Sequence, residues 1–307
     1  TTVFLIGFFA LYLNSKSVNL QSLVPILGLF VVASLKIMPS IGKVTTFYQA
    51  ITFKKPSLEI ISNIFNIKEN INETISDKKY NETIQFKNLI EAQDIHFKYS
   101  DDSDLILKSV SFQIKRGDYI GIIGKSGSGK STLADIFLGL LSPSKGQILV
   151  DKKNINSNLK SWQSIIGYVP QNIYFTDETL ENNIAFGIPE KKIDQKKLEL
   201  ALKKAQLISL IDRLPNGVKT MMGEFGHNLS GGERQRIGIA RAYYHDPEII
   251  FFDEATSSLD SETEKQIFNI IKTLKGNKTI IVVTHKINNL EDIDKLMIME
   301  NGKILIK

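Results

Sequence analysis

Apolar residues dominate the start of the chain in long runs, then settle into short blocks separated by polar turns. Val3 to Leu13 is one run, and Leu20 to Met38 is a second, broken only by Gln21, Ser22, Pro25, Gly28, Ser34 and Lys36. A helix needs about 20 apolar residues to cross a bilayer. The second run is long enough; the first reads as the end of a spanning helix. Lys36 near one end of the second run can snorkel to the interface, and Pro25 is tolerated inside a bundle of membrane helices. With the polar turn Asn14 to Asn19 between them, the two runs read as a membrane hairpin rather than a buried helix of a soluble domain. No basic stretch precedes Val3 and no small-residue cleavage site follows it, so it does not read as a signal peptide. The start at Thr1, directly ahead of an apolar run, reads as a fragment.

From the end of the second run the apolar positions thin to Ile37, Ile41, Val44, Tyr48 and Ile51, spaced as the seam of a helix packing on another helix. This predicts a stalk that Pro56 terminates, followed by a short amphipathic piece from Leu58 to Ile67. Lys68 to Asn88 is rich in Lys, Glu, Asp and Asn and reads as an exposed linker. Its Asn-Glu-Thr triplets at Asn72 and Asn81 match a glycosylation pattern that arises by chance in an Asn-rich segment facing the cytosol. The reading is therefore a membrane portion at 1–67, a linker at 68–89 and a domain at 90–307.

From Ile90 the pattern changes to short β-branched and aromatic runs: Tyr119 to Ile123, Ile148 to Val150, Gly167 to Val169, Ile249 to Phe252 and Thr279 to Val283. Helical patterns lie between them, for example Leu198 to Ile211, where apolar positions recur at three and four. Alternating strands and helices predict an α/β domain around a largely parallel sheet.

Chemistry collects at the ends of those strands. Tyr119 to Ile123 leads into Gly124-Lys125-Ser126-Gly127-Ser128-Gly129-Lys130-Ser131-Thr132 and then a helical pattern, the strand, loop and helix context of a phosphate-binding loop. Glycines let successive backbone N–H groups curl around phosphate oxygens, and the helix N-terminus adds favourable potential. Lys130 neutralises the outer phosphates, and Ser131 offers a hydroxyl to Mg²⁺. The strand Ile249 to Phe252 runs into Asp253 and Glu254. Asp253 is placed to hold Mg²⁺ through its water shell, and Glu254 to polarise an attacking water; the alternative is a solvated acidic pair opening a loop. The strand Thr279 to Val283 ends at Thr284 and His285 on the same sheet edge. Pattern alone leaves His285 open between a catalytic and a surface role.

Composition narrows the field. At 307 residues, 42% hydrophobic and 23% charged, the chain has room for two domains. Its net charge of +5 is scattered along the sequence, so no nucleic-acid partner is expected. The absence of cysteine excludes disulfides and thiolate metal sites.

Leu229-Ser230-Gly231-Gly232-Glu233-Arg234-Gln235-Arg236 resembles the signature motif of ABC ATPases, with Glu233 where the family often has Gln, a common variation that should leave function intact. Tyr99 resembles the aromatic residue that stacks on adenine. Gln171, within Tyr168-Val169-Pro170-Gln171, resembles the Q-loop glutamine, which also reaches Mg²⁺. Ser257 to Asp260 resembles the D-loop, and His285 the switch histidine. Thr220 to Gly226, centred on Glu224, resembles a short motif that precedes the signature in exporters. The resemblance covers roughly residues 90 to 307. It implies an α/β P-loop NTPase with a helical subdomain, preceded by C-terminal transmembrane helices of an all-α membrane domain. It also implies ATP and Mg²⁺ as ligands, Glu254 and His285 as catalytic residues, and Ser126, Gly127, Ser128 and Gly129 around the phosphates. Ser230, Gly231 and Gly232 would contact nucleotide held by a second copy, so a head-to-tail homodimer is implied.

Membrane segments fused ahead of the ATPase resemble the exporter branch, in a bacterial inner membrane with the ATPase domain in the cytoplasm. Met38 to Val44 is similar to bacterial lipid-linked oligosaccharide flippases of protein glycosylation, which implies membrane lipids and a lipid-linked glycan as partners. An exporter of another lipid, a drug or a peptide, a soluble ABC ATPase, and a regulator that does not turn over ATP are the alternatives; intact Glu254 and His285 argue against the last.

Overall fold

The computed structural model describes residues 7, 12, 20–77, 83–100, 102–223, 229–286 and 290–307. The chain divides into two compact units, Thr1–Lys79 and Tyr80–Lys307.

In the first unit, α1 (Leu20–Asp77) is a helix of 58 residues that passes through Pro25, Pro39 and Pro56 without interruption. The expectation that Pro56 ends the stalk is thereby corrected, and the helix takes in Leu58 to Ile67 and the first part of the segment read as linker. A proline removes one backbone hydrogen bond and crowds the preceding turn, at a cost of about 3 kcal/mol. A long helix absorbs that defect because propagation on either side needs no new nucleus. Ile37, Ile41, Val44, Tyr48 and Ile51 are all exposed along it. By length and composition Gly28–Ser62 is apolar enough to cross a membrane, and none of that apolar window is buried within this chain. Most of Val3 to Leu13, the turn Asn14 to Asn19, and Asn81 lie outside the described residues.

The second unit holds two sheets among its described residues. β1 (Leu89–Phe97), β2 (Leu107–Lys115), β4 (Lys145–Val150) and β5 (Lys153–Asn154) form an antiparallel sheet ordered β2-β1-β4-β5. β3 (Tyr119–Gly124), β6 (Ile166–Val169), β7 (Ile249–Asp253), β8 (Thr279–Thr284), β9 (Lys295–Glu300) and β10 (Lys303–Ile306) form a second sheet ordered β10-β9-β3-β8-β7-β6. It is parallel throughout except for the terminal β10–β9 hairpin. The helices are α2 (Lys130–Phe137), α3 (Leu159–Ser164), α4 (Leu180–Ile184), α5 (Gln195–Lys204), α6 (Ile208–Arg213), α7 (Gly231–Tyr244) and α8 (Ser261–Leu274).

The central strands are continuously apolar because both faces are covered. Alternate residues of β7 serve opposite cores. Ile250 and Phe252 pack with Ala201, Ile237 and Ile267 of the helical side. Ile249 and Phe251 pack with Phe137 of α2, Trp162 of α3 and Ile90 of the antiparallel sheet. The parallel registers align the C-terminal ends of three strands. Ile123 pairs with Thr284, and Asp253 with Val283. Gly124, Glu254 and His285 therefore emerge at one edge.

Leu198 to Ile211 divides into α5 and α6, with Gln206 in the left-handed region at φ 55° between them. Apolar spacing carries on in phase across that turn, so periodicity alone does not reveal the break.

Candidate active site

The loop between β3 and α2 is shaped by backbone rather than by side-chain capping. Gly129 is the N-cap of α2, at φ 101° and with no side-chain cap hydrogen bond. That conformation favours glycine, and a Cβ there would lie 2.9 Å from Leu107 Cδ2. Lys130, the first helical residue, is buried and turns its ammonium back into the loop, donating to the carbonyls of Gly124 at 3.0 Å and Lys125 at 3.1 Å. Burial lowers the Lys130 pKa, while the Glu254 and Asp253 carboxylates oppose that shift. The Ser128 hydroxyl is buried and has no hydrogen-bond partner among the described residues. Ser126 and Gly127 are exposed at the loop tip, and Ser131 is exposed beside the buried Thr132. Tyr99 lies nearby, its hydroxyl 3.4 Å from Thr132 Oγ1 and its ring edge-on to Phe97.

Three of the residues singled out in the sequence meet beside this loop. Glu254 Oε1 lies 2.6 Å from His285 Nε2 and 4.0 Å from Lys130 Nζ. His285 Nδ1 lies 3.0 Å from the Gly124 carbonyl oxygen. Both ring nitrogens of His285 thus face oxygens, Nε2 the Glu254 carboxylate and Nδ1 the Gly124 carbonyl. Glu254 itself sits at φ 49°, and its N–H donates to the Val283 carbonyl at 2.9 Å. A carboxylate and an imidazole next to a buried ammonium can align a water and take up its proton.

Asp253 has a partner that the motif reading passed over. The Tyr168 hydroxyl donates to Asp253 Oδ2 at 3.0 Å. Burial pushes the Asp253 carboxyl up, and the Tyr168 bond works against that rise. Burial, reinforced by the Asp253 charge, raises the Tyr168 phenol. Strand alternation held the signal: Tyr168 is in register with Phe251, two residues before Asp253 on the same face. Gln171 donates through Nε2 to Ser257 Oγ at 2.8 Å, joining the segment after β6 to the one after Glu254, and its own carbonyl accepts from Gln235 Nε2 at 2.7 Å.

The signature residues form a separate constellation. Ser230 caps α7, and its hydrogen bonds go to Glu233 and Arg234 of that helix rather than to the phosphate loop. Glu233 also pairs with Arg213. A Cβ on Gly232 would fall 2.4 Å from Thr263 Cγ2, so α7 packs closely on α8 here and a larger residue would require Thr263 to shift. Gly231 lies against Leu259, which brings the signature next to the Ser257 to Asp260 segment. Glu224 and Gly226 lie outside the described residues.

The residues assigned to Mg²⁺, Ser131, Gln171 and Asp253, offer only hard oxygen donors, the chemistry that ion takes. The unpartnered Ser128 hydroxyl and the uncapped end of α2 leave polar groups for a phosphate beside them. The donor set fits.

Residues 107–257 match the family model for the ABC transporter. Over 213 residues the chain is 38% identical to an ATP-dependent lipid A-core flippase of Idiomarina loihiensis, covering 69% of this chain and 36% of that protein. Over 299 residues it is 33% identical to an ATP-dependent lipid A-core flippase of Pseudoalteromonas atlantica, covering 96% of this chain and 50% of that protein. A solved bacterial Atm1-family ABC exporter with ATP bound superposes with a TM-score of 0.65 at 33% identity, over 71% of this chain and 38% of that one. The chain thus spans between 36% and 50% of the length of these curated relatives.

Proposed function

Because this chain belongs to the ABC transporter family through its ATPase domain, we propose that it is the ATP-hydrolysing part of an exporter that moves a lipid cargo across a membrane. The observation that carries this reading is the meeting of Glu254, His285 and Lys130 at the mouth of the phosphate loop.

In the proposed reaction the loop N–H groups and Lys130 hold the β- and γ-phosphates of ATP, exchanging the Gly124 and Lys125 carbonyls for phosphate oxygens. Tyr99 stacks on the adenine. Glu254 accepts a hydrogen bond from the attacking water and takes its proton as the oxygen bonds to the γ-phosphorus, while the bond from that phosphorus to the β–γ bridging oxygen breaks and ADP leaves with the electron pair. His285 holds Glu254 in place and orients the γ-phosphate. Bound Mg²⁺ would be held by Ser131, Gln171 and Asp253 and would supply charge neutralisation between the phosphates. Ser230 and the N–H groups of Gly231 and Gly232 would meet the γ-phosphate of nucleotide held by a second copy, so that ATP favours a closed homodimer and hydrolysis releases it.

The apolar surface of α1 supports a place in a membrane, with residues 1–67 as part of the membrane domain and 90–307 as the nucleotide-binding domain on the cytoplasmic side of a bacterial inner membrane. That surface favours this reading over a soluble ABC ATPase. Relatives named for lipid A-core flipping favour a lipid cargo, a class that also contains the lipid-linked glycan implied by Met38 to Val44.

The test is Glu254→Gln in the intact protein reconstituted in liposomes. ATP affinity should stay within about twofold while hydrolysis falls at least about a hundredfold, the worth of a positioned general base. Undiminished steady-state hydrolysis would remove Glu254 from this role.

A further inference from the structure

One buried charge in the second unit has no part in the reaction described above. Glu264, in the first turn of α8, is only 2% exposed. A carboxylate out of water is costly unless each oxygen finds a donor, and here each does. Oε1 accepts from the Thr256 hydroxyl at 2.9 Å, and Oε2 from the Lys286 ammonium at 2.9 Å. The two donors stand beside the residues that meet at the phosphate loop: Thr256 two positions after Glu254, and Lys286 one position after His285. Thr256 is itself buried, so the single proton of its hydroxyl is committed to this bond. Two chain segments that leave different strands, β7 and β8, are thereby tied to one side chain on a third element.

We propose that Glu264 is a positioning residue that holds Glu254 and His285 in register. The inference rests on the hydrolytic reading of that pair. Glu254 occupies a left-handed backbone conformation at φ 49°, which a non-glycine residue keeps only where its surroundings fix it. The Glu264–Thr256 bond supplies that fixation on the Glu254 side. On the other side, the Lys286 N–H donates to Thr284 Oγ1 at 3.1 Å while the Lys286 ammonium reaches Glu264, so the chain on both sides of His285 is braced. An apolar residue at this position would serve helix packing, whereas the carboxylate also ties both loops to α8.

Glu264→Gln preserves the size of the side chain, keeps one bond to Thr256 and removes the attraction for Lys286. A crystal structure of this variant should place Glu254 and His285 beyond about 3.5 Å, outside hydrogen-bond reach. In the intact protein kcat should fall by about tenfold to a hundredfold, as misplacement near 1 Å does, with KM for ATP within twofold. Lys286→Arg should keep kcat, and Lys286→Met should lose it to the same extent as Glu264→Gln. A Glu254–His285 contact that stays closed in Glu264→Gln overturns the proposal, as does a lowered melting temperature with kcat per folded molecule unchanged. The contact distance is read without any hydrolysis, so a parent protein inactive on ATP would count against the functional reading and not against this one.

Discussion

Two helix N-termini in the second unit carry the glycine-rich motifs, and they are finished in opposite ways. The start of α2 has Gly129 as its N-cap and no capping side chain, with Lys130 turned back onto loop carbonyls and the Ser128 hydroxyl unpartnered. The start of α7 is closed by a capping box: Ser230 Oγ accepts from the Glu233 N–H at 3.3 Å, and Glu233 Oε2 accepts from the Ser230 N–H at 2.8 Å. A helix end leaves four N–H groups without intrahelical partners. Where the chain's own side chains satisfy some of them, the end is stable without a ligand; where they do not, an external anion completes it. Under the proposed function the first end is left open for the nucleotide it holds, and the second is closed by its own side chains.

Removing Lys130 breaks this contrast most severely. Lys130→Ala deletes the cation at the open end, and ATP affinity should fall at least about a hundredfold, the cost of losing a charged hydrogen-bond donor in a buried site. Isothermal titration of the intact protein measures it. Ser230→Ala acts at the closed end. Loss of the cap should cost about 1 kcal/mol and lower the melting temperature by about 2–4 °C. Affinity for ADP, which lacks the γ-phosphate that Ser230 of a second copy would meet, should change by less than about twofold, because Ser230 makes no contact with the phosphate loop of its own chain. If both variants lost affinity equally, the two ends would not be distinct.

Glu233 gives a smaller effect with a definite sign. Burial raises its pKa, but the Ser230 N–H and hydroxyl, together with Arg213, outweigh that and hold it below the ordinary value of 4.5. A lowered carboxylate pKa stabilises the fold above the ordinary value, and that contribution is lost as pH falls through the folded one. The melting-temperature advantage of the parent over Glu233→Gln should therefore be full at neutral pH and shrink below pH 4.5. A difference that stays constant with pH would assign the carboxylate no such part.

The sequence exposed the open end more completely than the closed one. Glycine spacing, a following Lys-Ser-Thr and an upstream β-branched run specify a strand, loop and helix through local chemistry. The carboxylates after Phe252 stand out because continuous apolar runs mark strands buried on both faces; the same pattern puts the histidine after Thr284 at that sheet edge but gives it a role only through the family resemblance. Contacts that depend on register between distant strands were hidden. The reach of Tyr168 to Asp253 requires knowing that β6 lies beside β7, and the bracing by Glu264 requires α8 to pack under the ends of both β7 and β8. The helix through Pro56 and the turn at Gln206 were missed for a different reason. Local preference is a weak force, and the surrounding helix outweighed it in one case while an in-phase apolar pattern masked it in the other.

Everything turns on the two ends facing each other across a nucleotide. The chain contains no cysteine, so Ser126→Cys at the open end and Ser230→Cys at the closed end introduce unique thiols. In the Glu254→Gln background, oxidation with ATP present should form a disulfide between two copies, and oxidation without ATP should not. Cross-linking that is absent with ATP, or equal with and without it, would contradict the pairing on which the proposed activity depends.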